Sequence, residues 1–163
     1  MASRSGKIRA GRRSVRRSPD PRGQTTTFRY IETSALLAAL LEQDAAARNA
    51  LRGKWRRVTS ALTFAEASRS LIRARVAQRL TPADERAGLR WLQAFRHRCD
   101  VVAITDSVLA RAGRPFPVEP IRTLDALHLA TAELLGEPPQ LVTIVTRDSR
   151  VIENARAMGY AVE

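Results

Sequence analysis

The chain has 163 residues, 44% of them hydrophobic and 27% charged, with Cys99 as its single cysteine; this supports one self-sufficient core and excludes both a wholly disordered chain and an internal disulfide framework. The longest apolar run, residues 35–41, is too short to span a bilayer, and no apolar signal follows the charged N-terminus, so a reducing, cytoplasmic home is expected. The net charge is +12, from 28 basic and 16 acidic residues, and every basic residue except Lys7 and Lys54 is arginine; that composition suits a phosphate-bearing ligand, and equally a genome rich in arginine codons.

Residues 1–27 carry Arg4, Lys7, Arg9, Arg12, Arg13, Arg16, Arg17 and Arg22 against Asp20 alone, with only Ile8 and Val15 as sizeable apolar side chains. Such a segment cannot bury enough surface to offset its ordering entropy, and it reads as a disordered basic arm. A phosphate-binding tail, a transit peptide and an inert extension all fit it. Residues 28–163 read as one domain. A short strand over 28–31 leads into a helix over 34–41, and Asp44 caps a second helix reaching about Leu51. A strand over 57–60 precedes a helix over 61–78, with Phe64, Ser68, Ile72 and Val76 at four-residue spacing. Thr81-Pro82 opens the next helix, with Asp84 and Glu85 in its positive first turn, and it runs to about Cys99. A third strand covers 101–104, and Asp106 caps a short helix closing near Gly113. Prolines make 113–120 a loop. Thr123 caps a helix over 124–135, and the continuous apolar run 141–145 is the strongest strand. Asp148 or Ser149 caps a last helix to Met158, and Ala161-Val162 adds a final strand.

Strand alternating with helix predicts an α/β fold with a parallel sheet covered on both faces, and ligands beyond the carboxyl ends of its strands. Four acids are candidates for that edge. Glu32 follows the first strand and Asp148 follows the strongest one; Glu66 lies about one and a half turns into the helix after the second strand. Asp125 lies in the first turn of a helix that is apolar almost all round, which predicts a largely buried carboxylate. Taken singly, most have a local explanation. Asp125 favours a helix dipole, Asp148 is a ready N-cap, and Glu66 is one turn from Arg69. Glu32 alone has no evident local role, because Thr33 and Ser34 can cap the helix without it. Together, carboxylates in one cleft repel and require a compensating cation. Oxygen donors select Mg²⁺ or Mn²⁺, which can activate water and neutralise a phosphate under attack. Thr33, Ser34, Thr146, Arg147 and Arg150 are near enough in sequence to line the same edge and touch phosphates.

Residues 30–41, YIETSALLAALL, resemble the opening strand and helix of a PIN domain. TSALTFAEASRSL (59–71), RTLDALHLATA (122–132) and VTRDSRVIENARAMGY (145–160) are similar to the family's later acidic segments, in the family's order. The resemblance implies a three-layer α/β/α sandwich around a mostly parallel sheet, and a Mg²⁺- or Mn²⁺-dependent endoribonuclease acting on RNA. It carries the family's acidic metal-site roles onto Glu32, Glu66, Asp125 and Asp148. The chain's size and its DALHLA segment are most similar to VapC-type toxins of toxin–antitoxin pairs, which implies a homodimer and a cognate antitoxin that covers the site. The first acid of the family is usually Asp, and here it is Glu32, one methylene longer. A misplacement of about 1 Å can cost roughly 100-fold in rate. A catalytically weak or inactive PIN-like module that binds RNA or protein therefore stands beside the nuclease as the alternative.

Other features read as structural. His128, one turn after Asp125, is expected to be a packed or hydrogen-bonded histidine rather than a base. His97 is expected at the surface, Cys99 as a buried apolar residue, and Trp55 as a packed side chain over the second strand. No zinc-ligand spacing, Walker lysine or GxGxxG is present in the sequence.

Overall fold

The computed structural model of the protein describes residues 27–163; apart from Thr27, the arm expected over 1–27 lies outside the described residues. Among the described residues, five strands alternate with seven α-helices. In chain order they are β1 (Phe28–Ile31), α1 (Thr33–Leu41), α2 (Ala45–Ala50), β2 (Arg56–Ser60), α3 (Ala61–Val76) and α4 (Pro82–Arg96). There follow β3 (Asp100–Val102), α5 (Asp106–Ala112), α6 (Thr123–Glu133), a 3₁₀ turn at Pro139–Leu141, β4 (Val142–Val145), α7 (Ser149–Ala157) and β5 (Ala161–Val162).

All strand pairs are parallel, in the order β3-β2-β1-β4-β5. The chain winds outward from β1 to β3, then returns past β1 to lay down β4 and β5. The winding direction therefore reverses between β1 and β4, which opens a crevice beyond their carboxyl ends. Alternation along the strands divides the core between the two faces. Tyr30 and Ile144 join residues of α5, α6 and α7 in one cluster, and Ile31 and Val145 join α1, α2, α3 and α4 in the other. The result is the expected three-layer sandwich.

Several element ends differ from the sequence reading, each for a local reason. β3 covers Asp100–Val102 because it pairs only with Val58, Thr59 and Ser60 at the end of β2. Thr105, not Asp106, caps α5 by accepting from the Val108 N–H. α6 starts at Thr123 behind Arg122, with no side-chain cap at all. Gly88 of α4 packs closely on α3: a Cβ there would sit 3.0 Å from both Leu71 methyls, so that side chain would have to shift. Trp55 packs beneath the Arg29 guanidinium, 3.5 Å from its ring centre, and Arg29 also pairs with Glu163 at 2.5 Å. Among the described residues, no helix is long and apolar enough to cross a membrane.

Candidate metal centre

The β1–β4 register places the first acid. Ile31 is paired with Val145, and the Glu32 N–H donates to the Val145 carbonyl at 3.0 Å. Glu32 and Thr146 therefore emerge side by side at the winding reversal. Glu32 also has a local role that the sequence reading denied it: it is the N-cap of α1. Its Oε2 accepts from the Ser34 N–H at 2.9 Å, from the Ser34 hydroxyl, and from the Thr146 hydroxyl at 2.9 Å. Three donors on one oxygen fix the longer side chain. The other oxygen, Oε1, lies 3.8 Å from His128 Nε2.

Glu66 reaches the same point from α3. Its Oε2 accepts from the Thr33 hydroxyl at 2.5 Å and lies 2.8 Å from His128 Nε2, so its partner is not Arg69. Burial raises its pKa, but the hydrogen bonds from His128 and Thr33 outweigh burial and hold the carboxyl below the usual range. His128 stands on α6, one turn after Asp125. It is 1% exposed, and both ring nitrogens are engaged: Nδ1 is 3.0 Å from the Tyr30 hydroxyl, and Nε2 is also 3.2 Å from Thr33 Oγ1. One ligand atom from each of Glu32, Glu66 and His128 falls within 4.8 Å of the others.

Asp125 and Asp148 lie outside that tight trio. Asp148 is the N-cap of α7, its Oδ1 accepting from the Arg150 N–H at 2.9 Å and the Val151 N–H at 3.3 Å. Asp125 is half-buried, and its Oδ2 is shielded from solvent without a hydrogen-bond partner among the described residues. Burial, and then the charges of Asp148 and Glu32, push its carboxyl above the usual aspartate range. An orphaned carboxylate oxygen among like charges suits a cation, and a donor set made mainly of carboxylates matches Mg²⁺ or Mn²⁺. The residues therefore fit a divalent cation.

The groups expected to touch phosphate are arranged less simply. The hydroxyls of Thr33, Ser34 and Thr146 hold Glu66 and Glu32. The Ser34 hydroxyl also accepts from the Arg147 N–H at 2.7 Å. The Arg147 side chain pairs with Asp44 at 2.8 Å and holds that carboxyl below its usual range. Arg150, at the start of α7, is partly exposed and has no ion pair with a described residue. The part played by Tyr30 was not legible in the sequence, although Tyr30 stands on β1 only two residues before Glu32. His97 is exposed, while partial burial pushes the Cys99 thiol up to about 11, far from a reactive thiolate at neutral pH.

Comparison with known proteins agrees with this architecture. Residues 29–157 match the model of the PIN domain family. The chain is 38% identical over 141 residues to Ribonuclease VapC35 of Mycobacterium tuberculosis, a match covering 82% of this chain and 93% of that one. It is 38% identical over 135 residues to Ribonuclease VapC46 of the same species, covering 82% and 94% respectively. Among solved structures, VapBC-1 from nontypeable Haemophilus influenzae is similar in fold, with a TM-score of 0.52 at 14% identity over 83% of this chain and 96% of that one.

Proposed function

This chain belongs to the PIN domain family, and we propose that it is a metal-dependent endoribonuclease acting as the toxin of a type II toxin–antitoxin pair. The observation that carries the chemistry is the buried, unpartnered Oδ2 of Asp125, whose carboxyl is pushed up by burial, Asp148 and Glu32. In this reading Glu32, Asp125 and Asp148 hold Mg²⁺ or Mn²⁺, and Glu66 is a further ligand or orients the attacking water. Bound there, the ion supplies Lewis acidity that lowers the pKa of water and offsets charge building on the phosphate.

The protein's own groups do the rest. Glu32, pinned by Ser34 and Thr146, presents Oε1 without side-chain adjustment. Glu66, held ionised, is ready to accept a hydrogen bond from water. The partly exposed Arg150 guanidinium, at the start of α7, attracts the phosphate. Hydrolysis by water leaves a 5′-phosphate and a 3′-hydroxyl. Relatives named VapC ribonucleases support RNA as the substrate, and the fold shared with VapBC-1 supports an antitoxin as partner. A homodimer working in the cytoplasm completes the proposal.

The test is cleavage of total cellular RNA followed by mapping of the ends. Cutting that requires Mg²⁺ or Mn²⁺ and leaves 5′-phosphate ends is expected. Equal cutting in excess EDTA overturns the proposal, and tight RNA binding with no cutting under any metal returns the protein to the binding-module alternative.

A further inference from the structure

We propose that Tyr30 and His128 form a positioning relay, in which the Tyr30 hydroxyl fixes the His128 tautomer and the His128 Nε2–H holds Glu66 in the orientation the cation site needs. The inference rests on the reading of Glu66 as part of that site. Its geometry spans three elements: Tyr30 on β1, His128 on α6 and Glu66 on α3. Tyr30 and His128 are each 1% exposed, so water cannot replace their mutual contact.

The direction of each hydrogen bond follows from chemistry. A tyrosine phenol carries its proton at neutral pH, and Tyr30 is shut off from solvent. A protonated phenol 3.0 Å from His128 Nδ1 donates to it. An imidazole ring that accepts at Nδ1 carries its proton on Nε2. That nitrogen is 2.8 Å from Glu66 Oε2, which also takes the Thr33 hydroxyl proton at 2.5 Å. Two donors on Oε2 fix the carboxylate plane, and Oε1 has no hydrogen-bond partner among the described residues, which leaves it for a cation or its water. The relay also separates His128 from the ligands. A nitrogen whose N–H is donated to Glu66 has no lone pair to give a metal.

The experiment uses the full chain, Mn²⁺ as probe, and five proteins: wild type, Glu66→Gln, His128→Leu, His128→Gln and Tyr30→Phe. Mn²⁺ affinity is read by electron paramagnetic resonance titration, kcat and KM on one RNA, and the nitrogen coupling of bound Mn²⁺ by electron spin-echo modulation. Loss of a partner that orients a ligand typically lowers metal affinity or activity by about 10- to 100-fold. That loss is expected in Mn²⁺ affinity and kcat for His128→Leu, with KM unchanged. His128→Gln, whose amide N–H reaches the place of Nε2–H, restores most of it, and Tyr30→Phe falls between. Bound Mn²⁺ shows no directly coordinated nitrogen.

If Glu66→Gln is impaired while His128→Leu equals wild type, the relay is wrong and the site reading stands. If Glu66→Gln itself equals wild type, the site reading fails first. A directly coordinated nitrogen makes His128 a ligand and overturns the relay. Thermal melts accompany each variant; should His128→Leu fail to fold, Tyr30→Phe against His128→Gln decides, and a Tyr30→Phe indistinguishable from wild type overturns the proposal.

Discussion

Without a cation, Asp125 carries a charge that its surroundings resist: burial and the neighbouring Asp148 and Glu32 all oppose ionisation. Asp125→Asn removes that charge. Cleavage is expected to fall by at least about 100-fold, as for loss of a positioned catalytic group, while the metal-free variant melts higher than wild type. The sign has a pH dependence. A folded pKa above the unfolded one means that the native state binds the extra proton between the two values. The penalty on wild type is therefore full above the raised pKa, shrinks as pH falls below it and is gone below the unfolded value. Melts of both proteins from pH 8 downward check this: the gap should close on acidification, and a gap that widens contradicts the assignment. At this scale Glu32 and Asp148 were marked as candidates by their places after strands and Asp125 by its helix first turn, whereas Glu66, deeper in its helix, had no such mark. The sequence did not announce that Thr33, Ser34 and Thr146 are committed to holding them, because Thr146 meets Glu32 across 114 residues of chain. Glu32 as an N-cap was hidden for another reason, since the adjacent Thr33 and Ser34 are the commoner caps.

The helices that carry the acids do so through packing that is separable from the site. α3, which holds Glu66, is backed by α4 through the Gly88–Leu71 approach. Gly88→Val pushes two added methyls and a Cβ into buried Leu71, and is expected to destabilise the fold by about 1–3 kcal/mol. Urea unfolding measures the loss; Mn²⁺ affinity of the folded variant should stay within about twofold of wild type, because Gly88 is not among the site residues. Near the start of α4, Thr81 and Asp84 form a capping box, with the Asp84 N–H donating to Thr81 Oγ1 at 3.1 Å. Thr81→Ala should lower the melting temperature by roughly 2–4 °C and leave RNA cleavage unchanged. Helix and strand identity was legible here from periodicity and from Pro82 after Thr81. Ends were less so. β3 stops where its pairing with β2 stops, and α6 begins after Arg122 without a side-chain cap, facts set by neighbours rather than by local sequence.

At the scale of the molecule, one topological event makes the site. The reversal of winding between β1 and β4 brings residues 32 and 146 together, and the helices on the two faces deliver Glu66 from one side and Asp125 with His128 from the other. Alternating strands and helices made the parallel sheet readable; the strand order was not, because it is set by pairing between distant parts of the chain. The net charge of +12 acts over a longer range than the site. KM for RNA should rise at least about tenfold between 50 and 200 mM salt, the signature of counterion release, while kcat changes little; a KM indifferent to salt would argue against a phosphate-reading surface. In the proposed site, carboxylates from four distant stretches share one cation. An anomalous difference map from crystals soaked in Mn²⁺ is the decisive measurement. The expected result is a peak at the carboxyl edge of β1 and β4, bound by oxygens of Glu32, Asp125 and Asp148, with Glu66 coordinated directly or through water. A saturating soak that leaves this edge empty, or that loads Mn²⁺ only elsewhere on the protein, contradicts it.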